Sequence, residues 1–588
     1  MPSADFKQRK TPGVYVTELG AFPNSIPGVE TAIPVFIGYT ETAVAGTKPI
    51  LFTPVLVNSL AAYQQYFGAG FEPKYLIQAP TEADPSYDVT AMTWDTTNSK
   101  YVATNYAITV QGPPTNTTTT VGDTTATVTE PSMPLASFNL YNSVRLFYGN
   151  GGGTCYIVSV GTYADATGPD GTSKIKPDDL TRGLAAAGEQ VGPTITLIPD
   201  AVLLAADTGE NASKTDIPVS TPFQTLTREM LTQSAKLQDR VALIDVYGTN
   251  SIDTTSRTQL DTDLDACISQ FQTAVGEANL NYGMAYFPFL ITSVVPPSEI
   301  DFTNFFVDPN KKDQLKTILT DQASYLYPDP AADDAAPAKN KNPTYVSVEA
   351  QITEAMKLLT PTTDAQWADV AKYNQNIVNA VPLLQQMENT IAYKMNLLPA
   401  SGAMAGVCTL NDATRGVWNA PANMVLNQVI KPSVPINATQ QGPLNAPING
   451  KSVNVIRDFV GRGPVVWGAR TLDGNSLDYR YVQVRRTLIY IESSVKTSLN
   501  QFVFAPNDGQ TWVAVTAMVS AFLQNLWSQG GLMGDKASDA FSVQCGLGST
   551  MTGTDVLNGY MIVQITLQMI HPAEFIELTF KQKMQGVS

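Results

Sequence analysis

The sequence predicts a multidomain protein of the α/β and α+β classes, with an α/β middle domain and a small inserted β domain. Three observations support this. Buried strands alternate with helices between residues 138 and 300, a Thr-rich and Pro-rich stretch with β-type alternation precedes them, and two amphipathic helices come before the last strands. Because 588 residues are too many for one hydrophobic core, we expect roughly three or four domains of ~100–200 residues each.

The N-terminal elements begin with a β-prone run at residues 11–18, in which Val14 and Val16 share one face. A serine at the start and a glycine at the end of residues 59–68 predict a capped helix. Buried strands are expected at residues 33–38 and 54–57.

The next stretch, residues 72–134, is rich in Thr, Asn, Pro and Tyr and alternates at residues 106–110 and 125–129. This composition favours strands over helices. We therefore expect a small β domain inserted on the surface, with residues 117–120 at an exposed edge or loop.

The middle region has the alternating pattern of a sheet with crossover helices. Phe138, Tyr141, Val144 and Phe147 follow helical spacing, and a glycine run ends that helix before the first strand. The predicted strands are residues 155–160, 194–199, 241–246 and 283–288, and the predicted helices are residues 178–187, 225–237 and 258–274. Residues 329–342 are polar and are expected to form an exposed loop inside a further insertion.

The C-terminal block contains two amphipathic helices and two strands. Apolar residues recur at helical spacing from Val484 to Phe502 and from Trp512 to Leu526. Both helices are expected to pack under a strand at residues 560–569, which places Val563, Ile565 and Leu567 on one face.

The final strand, residues 572–583, places Ile576, Leu578 and Phe580 on one face. A strand must pair its N–H and C=O groups, and a strand at a chain terminus can find its partner on another molecule. Two unattached strands, one at each terminus, therefore suggest a subunit that is linked to others.

Composition excludes several classes of function. The formal charge of −16 argues against a nucleic-acid binder or a protein that binds anionic membranes. Residues 451–588 hold 11 basic and 10 acidic residues, so the negative charge lies in the rest of the chain. The four cysteines are widely separated, which favours free thiols in a reducing compartment. We find no signal peptide and no membrane span in the sequence, and expect synthesis in the cytoplasm.

The sequence carries little that resembles catalytic or ligand chemistry. The one histidine, His571, cannot build a histidine cluster, and the glycines at residues 149–154 follow a helix, whereas a phosphate-binding loop follows a strand. We expect no catalytic, cofactor-binding or metal-binding residues. Six arginines between Arg457 and Arg486 are expected to form ion pairs, with Asp458, Asp473 and Asp478 as local candidates.

Several stretches resemble the contractile tail sheath proteins of phages, R-type pyocins and related contractile injection systems. The resemblance is strong over residues 395–588 and the first 70 residues, moderate over 138–290, and absent from 72–134 and about 300–365. The stretches that carry it are TPGVYVTE at 11–18, NGGGTCYIV at 150–158, PASGAMAG at 399–406, RGVWNAPAN at 415–423, GRGPVVWGART at 461–471, RYVQVRRTLIYIE at 480–492, PND at 506–508 with Trp512, and PAEF at 572–575.

The resemblance implies a homo-oligomer of stacked hexameric rings around an inner tube protein, with baseplate and tail terminator proteins as further partners. Arms from both termini would add strands to a small sheet in neighbouring subunits. For the N-terminal arm we expect Val14, Tyr15 and Val16 to form the strand, and for the C-terminal arm Phe575, Ile576, Leu578 and Phe580. The expected receiving strand contains Val563, Ile565 and Leu567, and the candidates for tube contact are Lys496 and Lys536.

The domain boundaries that follow divide the chain into four parts. They are a linking arm at residues 1–20, a sheath core of residues 21–71 and 395–588 with its C-terminal arm at 572–588, an outer β domain at 72–135, and a middle domain at 136–394 with an insertion around 300–365. The particle would be a phage tail or contractile injection particle assembled in the bacterial cytoplasm.

Two other functions remain open at this stage. The α/β domain suggests a hydrolase-like enzyme, although no nucleophile motif is present. The Thr-rich insertion suggests a surface adhesin.

Overall fold

The structure is a computed structural model. It describes residues 26–80, 86–110, 115–121, 124–130, 135–168, 171–208, 217–305, 314–331 and 336–575. Contacts within the chain divide these residues into two compact units, each described separately below. The larger unit comprises residues 30–486 and 572–575, and the smaller unit comprises residues 26–29 and 487–571.

The described residues contain 20 strands. In chain order they are β1 (Pro34–Thr40), β2 (Val44–Ala45), β3 (Lys48–Pro49), β4 (Val55–Val57), β5 (Leu76–Gln78), β6 (Val89–Asp95), β7 (Lys100–Thr109), β8 (Thr115–Val121), β9 (Thr124–Glu130), β10 (Cys155–Thr162), β11 (Ile195–Leu197), β12 (Val241–Asp245), β13 (Gly283–Phe287), β14 (Leu290–Thr292), β15 (Leu397–Leu398), β16 (Val429–Pro432), β17 (Asn454–Phe459), β18 (Gly463–Val466), β19 (Phe541–Gln544) and β20 (Gln564–Leu567).

The same residues contain 15 α-helices. They are α1 (Leu60–Phe67), α2 (Leu140–Gly149), α3 (Pro177–Glu189), α4 (Thr221–Leu237), α5 (Arg257–Ala274), α6 (Gln314–Leu326), α7 (Pro343–Ala355), α8 (Asp364–Ala380), α9 (Pro382–Met395), α10 (Ser401–Arg415), α11 (Ala438–Asn445), α12 (Val482–Leu499), α13 (Gly509–Ser528), α14 (Ala537–Ala540) and α15 (Gly553–Leu557).

The larger unit is built on an eight-stranded sheet in the order β18-β17-β13-β12-β11-β1-β10-β4. The six strands from β17 to β10 pair in parallel, and the two edge strands β18 and β4 pair antiparallel. All seven residues of β1 are buried, as expected for a strand covered on both faces. The predicted strands and crossover helices of residues 138–300 are therefore confirmed.

Helices cover both faces of this sheet. On one face Val35 and Ile37 of β1 share a core with Leu180 of α3. On the opposite face the ring of Phe36 lies 5.4 Å from the ring of Phe147 in α2. A β-strand directs alternate side chains to opposite faces, so one apolar strand serves both cores.

The helices α2 and α10 pack closely because glycines stand at their contact. A Cβ atom at Gly402 would lie 2.6 Å from the carbonyl oxygen of Ser143, and one at Gly406 would lie 2.6 Å from that of Phe147. Only residues without a side chain allow this approach. The small-residue stretch at residues 399–406 is thus explained by helix packing.

A second core joins two segments that the sequence analysis treats as separate insertions. Tyr75, Val89 and Ile108, from the β-rich stretch, lie in one buried cluster with Ile318 of α6 and Ile391 of α9. The hairpin of β8 and β9 pairs only with itself among the described strands. Strands β5–β7 and helices α6–α9 therefore form one domain with a shared core, for which we keep the predicted name outer domain.

The loop at residues 329–342 was predicted to be exposed, but described residues at both of its ends are buried. Asp329 and Asn340 are buried, with 7% and 6% of their surfaces exposed. The side-chain amide of Asn340 donates to Ser324 Oγ at 2.8 Å and to the carbonyl oxygen of Tyr327 at 2.8 Å. These bonds tie the described ends of the loop to the end of α6.

The smaller unit combines α12 beyond Arg486, α13, two short helices and the antiparallel pair β19–β20. Asp508 caps α13 by accepting from the N–H groups of Gln510 and Thr511 at 3.1 and 3.0 Å. The predicted apolar face of α13 is confirmed, because Val515, Val519, Phe522 and Leu526 are buried.

Candidate functional site

The sheet of the smaller unit has only two strands in the part of the chain that the structure describes. Its register pairs Val543 with Ile565 and Phe541 with Leu567. Beyond β20, the N–H of Gln568 donates to the carbonyl oxygen of Ala540 at 2.8 Å. In an antiparallel ladder, hydrogen-bonded and non-hydrogen-bonded pairs alternate. The N–H and C=O groups of Ile565 and Leu567 therefore point to the edge of β20 that faces away from β19.

The same residues line an apolar cavity. It has a volume of about 890 Å³ and is bounded by one face of α12, the loop that follows α12, and the strand side. Its lining includes Leu488, Ile491, Val495, Leu499, Phe502, Met561, Val563, Ile565 and Leu567. The predicted apolar face of α12 thus has two parts. Ile491, Val495 and Phe502 are buried, whereas Leu488 and Leu499 are only half-buried.

Residues on β20 alternate in exposure as the sequence predicts. Ile565 and Leu567 are half-buried, and Gln564 and Thr566 are exposed. Side-chain direction and backbone hydrogen-bond direction both alternate with a period of two. Ile565 and Leu567 therefore direct their side chains to the cavity and their backbone groups to the edge that faces away from β19. A strand added at this edge would pair with Ile565 and Leu567 and place its own apolar side chains over the cavity.

An exposed and strained aromatic residue stands at the rim of the cavity. Phe504 has a φ of 70° and a fully exposed side chain. A positive φ is a genuine outlier for a bulky residue, and such strain concentrates at functional positions. Its neighbour Val503 is 58% exposed, and Tyr560 is 62% exposed. The sequence analysis missed Phe504, although the apolar run at residues 502–506 directly after a helix was a signal for it.

The structure brings together the residues predicted for the receiving strand. Ile565 and Leu567 lie in β20, and Val563 precedes it and lines the same cavity. The strand is shorter than the predicted 560–569. Residues before it bond to loops instead, since the carbonyl oxygen of Tyr560 accepts from Asn507 Nδ2 at 2.9 Å and that of Ile562 accepts from Thr550 Oγ1 at 2.7 Å.

The predicted arm residues lie mostly outside the described part of the chain. Val14, Tyr15 and Val16 of the N-terminal arm are outside it, as are Ile576, Leu578 and Phe580 of the C-terminal arm. Phe575 is described, is 82% exposed and is not in a strand.

The two predicted tube contacts lie at different places in the smaller unit. Lys496 is an exposed residue of α12 at the rim of the cavity, near Glu492 one helical turn earlier. Lys536 is exposed and stands directly before α14.

A buried carboxylate of the larger unit binds two other residues of the same unit, Thr31 and Arg486. Asp412 of α10 pairs with Arg486, with contacts of 3.1 Å to Nη1 and 2.6 Å to Nη2, and accepts from Thr31 Oγ1 at 2.6 Å. Arg486 and Asp412 side chains are 3% and 6% exposed. Burial lowers the pKa of Arg486, whereas the nearby Asp412 carboxylate raises it. The net result is a raised pKa. The chain crosses between units next to Thr31 and at Arg486.

The arginine-rich segment forms ion pairs as predicted, but the partners differ from the local aspartates. Arg486 pairs with Asp412 and Arg470 pairs with Glu574, both distant in sequence. Arg485 lies over the rings of Tyr282 and Tyr479, 4.4 and 5.2 Å from their centres. This packing supports an internal role for these arginines.

Two buried carboxylates, one just after β11 and one at the end of β12, act as helix caps. Asp200 accepts from the N–H groups of Tyr39 and Asn139 at 3.1 and 2.6 Å, and burial raises its pKa to about 6. Asp245 ends β12 and accepts from Ser401 N–H at 2.9 Å and Ser401 Oγ at 2.5 Å, and burial raises its pKa to about 7. Each carboxylate meets the N-terminus of a helix, where N–H groups lack partners.

Metal and membrane sites were also sought within the described residues. There, no group of three or more His, Cys, Asp or Glu side chains is arranged to hold a metal ion. None of the helices in the described ranges has an apolar stretch long enough to cross a bilayer.

Comparisons with known proteins agree with this architecture. Residues 475–583 match the family described as phage tail sheath C-terminal domain. The tail sheath protein of Burkholderia phage BcepMu is 28% identical over 145 residues, which is 24% of this chain and 30% of the phage protein. The tail sheath protein of Vibrio phage KVP40 is 23% identical over 138 residues, or 23% of this chain and 20% of that protein. These matches therefore span less than a third of either relative.

Similarity of fold extends much further. The cryo-EM structure of the anti-feeding prophage helical sheath in the contracted state covers 98% of this chain and 100% of its own, with a TM-score of 0.51 and 22% identity. The resemblance to contractile tail sheath proteins is thus confirmed, by sequence in the C-terminal region and by fold over nearly the whole chain.

Proposed function

We propose that this chain is a structural subunit of a contractile tail sheath, which polymerises when terminal strands of one copy pair with the open sheet of another. The observation that carries the proposal is the coincidence at β20 of an apolar cavity and a backbone edge that no other described strand pairs with. Pairing at such an edge is β-augmentation, in which backbone hydrogen bonds supply affinity and alternate side chains set the register.

The geometry of β20 suits an amphipathic strand. Ile565 and Leu567 offer backbone groups at the edge, while their side chains face the cavity. The sequence at residues 576–580 alternates in the same way, with Ile576, Leu578 and Phe580 on one face. Four added hydrogen bonds would contribute about 2–6 kcal/mol. Burial of the apolar side chains adds to this, and repetition at every subunit stabilises the whole polymer.

The arms also explain how a sheath can contract without falling apart. A terminal strand that is paired in a neighbour's sheet keeps its hydrogen bonds while the body of its own subunit rotates. In the proposed assembly, hexameric rings stack around an inner tube, and subunit bodies gain contacts as the sheath shortens. Baseplate and terminator proteins would hold its ends, and assembly would take place in the bacterial cytoplasm.

Lys496 and Lys536 remain our candidates for contact with the tube. The two differ in their setting, because Lys496 borders the cavity and Lys536 does not. An inserted arm would therefore pass closer to Lys496. Substitution of Lys536 therefore tests contact with the tube without also changing a residue that borders the cavity.

The enzyme alternative has a weak structural basis. A serine and a carboxylate do meet at Ser401 and Asp245, at the carboxyl end of a parallel strand where α/β enzymes bind ligands. Ser401 is only 1% exposed, and the chain's one histidine, His571, belongs to the smaller unit. The pair caps α10, which accounts for it without catalysis. The adhesin alternative rests on the Thr-rich composition of the β8–β9 hairpin alone.

Electron microscopy with matched variants tests the proposal. Negatively stained full-length protein should form striated tubes or short ring stacks. Ile565→Asp places a charge in the cavity and should abolish polymers, whereas Thr566→Asp, on the opposite face of the same strand, should permit them. Circular dichroism checks that both variants fold. Polymers of normal length from folded Ile565→Asp protein would contradict the proposal, as would monodisperse monomers of the unmodified chain.

A further inference from the structure

An ion pair marks the place where the C-terminal segment rejoins the larger unit. Residues 487–571 belong to the smaller unit, and the chain returns to the larger unit at Pro572. Two residues later, Glu574 Oε1 accepts from Arg470 Nε at 3.0 Å, and its second oxygen accepts from Arg470 Nη2. The Arg470 and Glu574 side chains are 6% and 18% exposed. Two parallel hydrogen bonds shielded from water make this a strong form of arginine–carboxylate contact.

Arg470 is held in place independently of Glu574. Its N–H donates to Asn454 Oδ1 at 2.7 Å, and its carbonyl oxygen accepts from Asn454 Nδ2 at 2.7 Å. Asn454 itself begins β17 in the main sheet. The guanidinium also donates from Nη1 to the carbonyl oxygen of Asn445 at 3.0 Å. Arg470 is therefore a preorganised receptor for a carboxylate, fixed to strand β17 of the main sheet.

We propose that Arg470 and Glu574 anchor the root of the C-terminal arm and so set its reach. The inference rests on the proposed function, in which this arm pairs with a second copy of the chain. Residues 576–588 span at most about 45 Å when fully extended. Release of Glu574 would free the four residues 572–575 as well and add about 14 Å.

Such an anchor has a mechanical role in a polymer whose subunits move. Force on a paired arm is transmitted along the backbone to its first fixed point, and on this proposal that point is Glu574. An exposed ion pair would give way easily, since water and salt compete for its charges. The burial of Arg470 reduces that competition. Glu574 and Arg470 are thus positioning residues for the arm, and do not themselves touch the neighbouring copy.

Limited proteolysis of the full chain tests the anchor. Chymotrypsin cleaves after aromatic residues, and cleavage after Phe575 needs residues 572–575 to leave the body. Glu574→Gln should speed this cleavage about tenfold or more, because one charge-assisted pair is lost. Arg470→Lys keeps the positive charge but cannot make two parallel hydrogen bonds to the carboxylate, and should give an intermediate cleavage rate. Glu577→Gln removes the same charge beyond the anchor and should leave the rate unchanged.

Polymerisation and melting complete the test. We expect Glu574→Gln to retain the melting temperature of the body but to form fewer or irregular sheath polymers. Equal cleavage rates in Glu574→Gln and the unmodified chain would overturn the anchor, and so would loss of the folded body in both Glu574→Gln and Arg470→Lys. Deletion of residues 576–588 separates the two proposals. If that deletion leaves polymers intact, the arm function itself is wrong. If it abolishes polymers while Glu574→Gln matches the unmodified chain, only the anchor is wrong.

Discussion

Glu388, in α9 of the outer domain, should make the stability of this protein fall as pH rises toward 8. Its side chain is 5% exposed, and Oε1 has no hydrogen-bond partner within the described structure. Burial raises the pKa of Glu388, and the negative charge of Asp301 adds to this increase. A hydrogen bond from Asn374 acts in the opposite direction, and the resulting pKa is about 8. In the unfolded chain the same carboxyl ionises near pH 4.5. Between these values the folded state holds a proton that the unfolded state has released.

The size of the effect follows from linkage. Because the unfolded state binds fewer protons in this window, the free energy of unfolding decreases as pH rises. One pKa unit corresponds to about 1.4 kcal/mol. The carboxyl is partly protonated in the unfolded state at pH 5 and partly ionised in the folded state at pH 8, so between two and three units act in this range and the loss is about 3 kcal/mol. Glu388→Gln removes the titration but keeps the shape of the protonated acid. The variant should match the natural chain at pH 5 and exceed its stability by about 3 kcal/mol at pH 8.

Thermal unfolding monitored by circular dichroism at several pH values measures this difference. For a domain of this size, about 3 kcal/mol corresponds to roughly 6–12 °C in melting temperature. Glu354→Gln is the matched control, because Glu354 lies on a helix of the same domain with its side chain 50% exposed. A constant difference between Glu388→Gln and the natural chain from pH 5 to pH 8 would refute the reasoning.

Three further substitutions probe other parts of the structure. Asp412→Asn removes the charge that Arg486 requires, and should lower the free energy of unfolding in urea by about 3–5 kcal/mol; a change below about 1 kcal/mol would show that the pair is dispensable. Gly406→Val places a Cβ against a backbone carbonyl of α2 and should cost at least about 3 kcal/mol, whereas Gly442→Ala, with open space around it, should be neutral or slightly stabilising. Phe504→Gly relieves the positive φ, so the melting temperature should hold or rise while polymer yield by sedimentation falls; unchanged yield would exclude Phe504 from the interface.

Local sequence patterns predict much of this fold. The buried strand β1, the capped helix α1 and the apolar face of α13 follow directly from alternation, capping residues and helical spacing. The strand β20, which we propose as the receiving strand, is also readable in this way, because period two identifies Ile565 and Leu567 as residues of one face. Such features depend on neighbours in sequence, and each is therefore visible without a structure.

Features that depend on distant contacts are not visible in the sequence. The shared core of the outer domain joins Tyr75 to Ile391, and nothing local in either segment indicates the other. The partners of Arg470 and Arg486 were equally hidden, since Glu574 and Asp412 lie far from them along the chain. The cavity beside β20 is lined by residues of α12 and by residues near β20 that lie about 60 or more positions later, so it too is visible only in the folded unit.

The central claim is that terminal strands of one copy occupy the sheet edge of another. A cryo-EM reconstruction of the assembled polymer at a resolution that separates strands measures this directly. We predict an additional strand from a neighbouring subunit hydrogen-bonded to Ile565 and Leu567, with its apolar side chains in the cavity between β20 and α12. A polymer in which this edge stays unpaired, or is covered by the subunit's own terminal segments, would contradict the account.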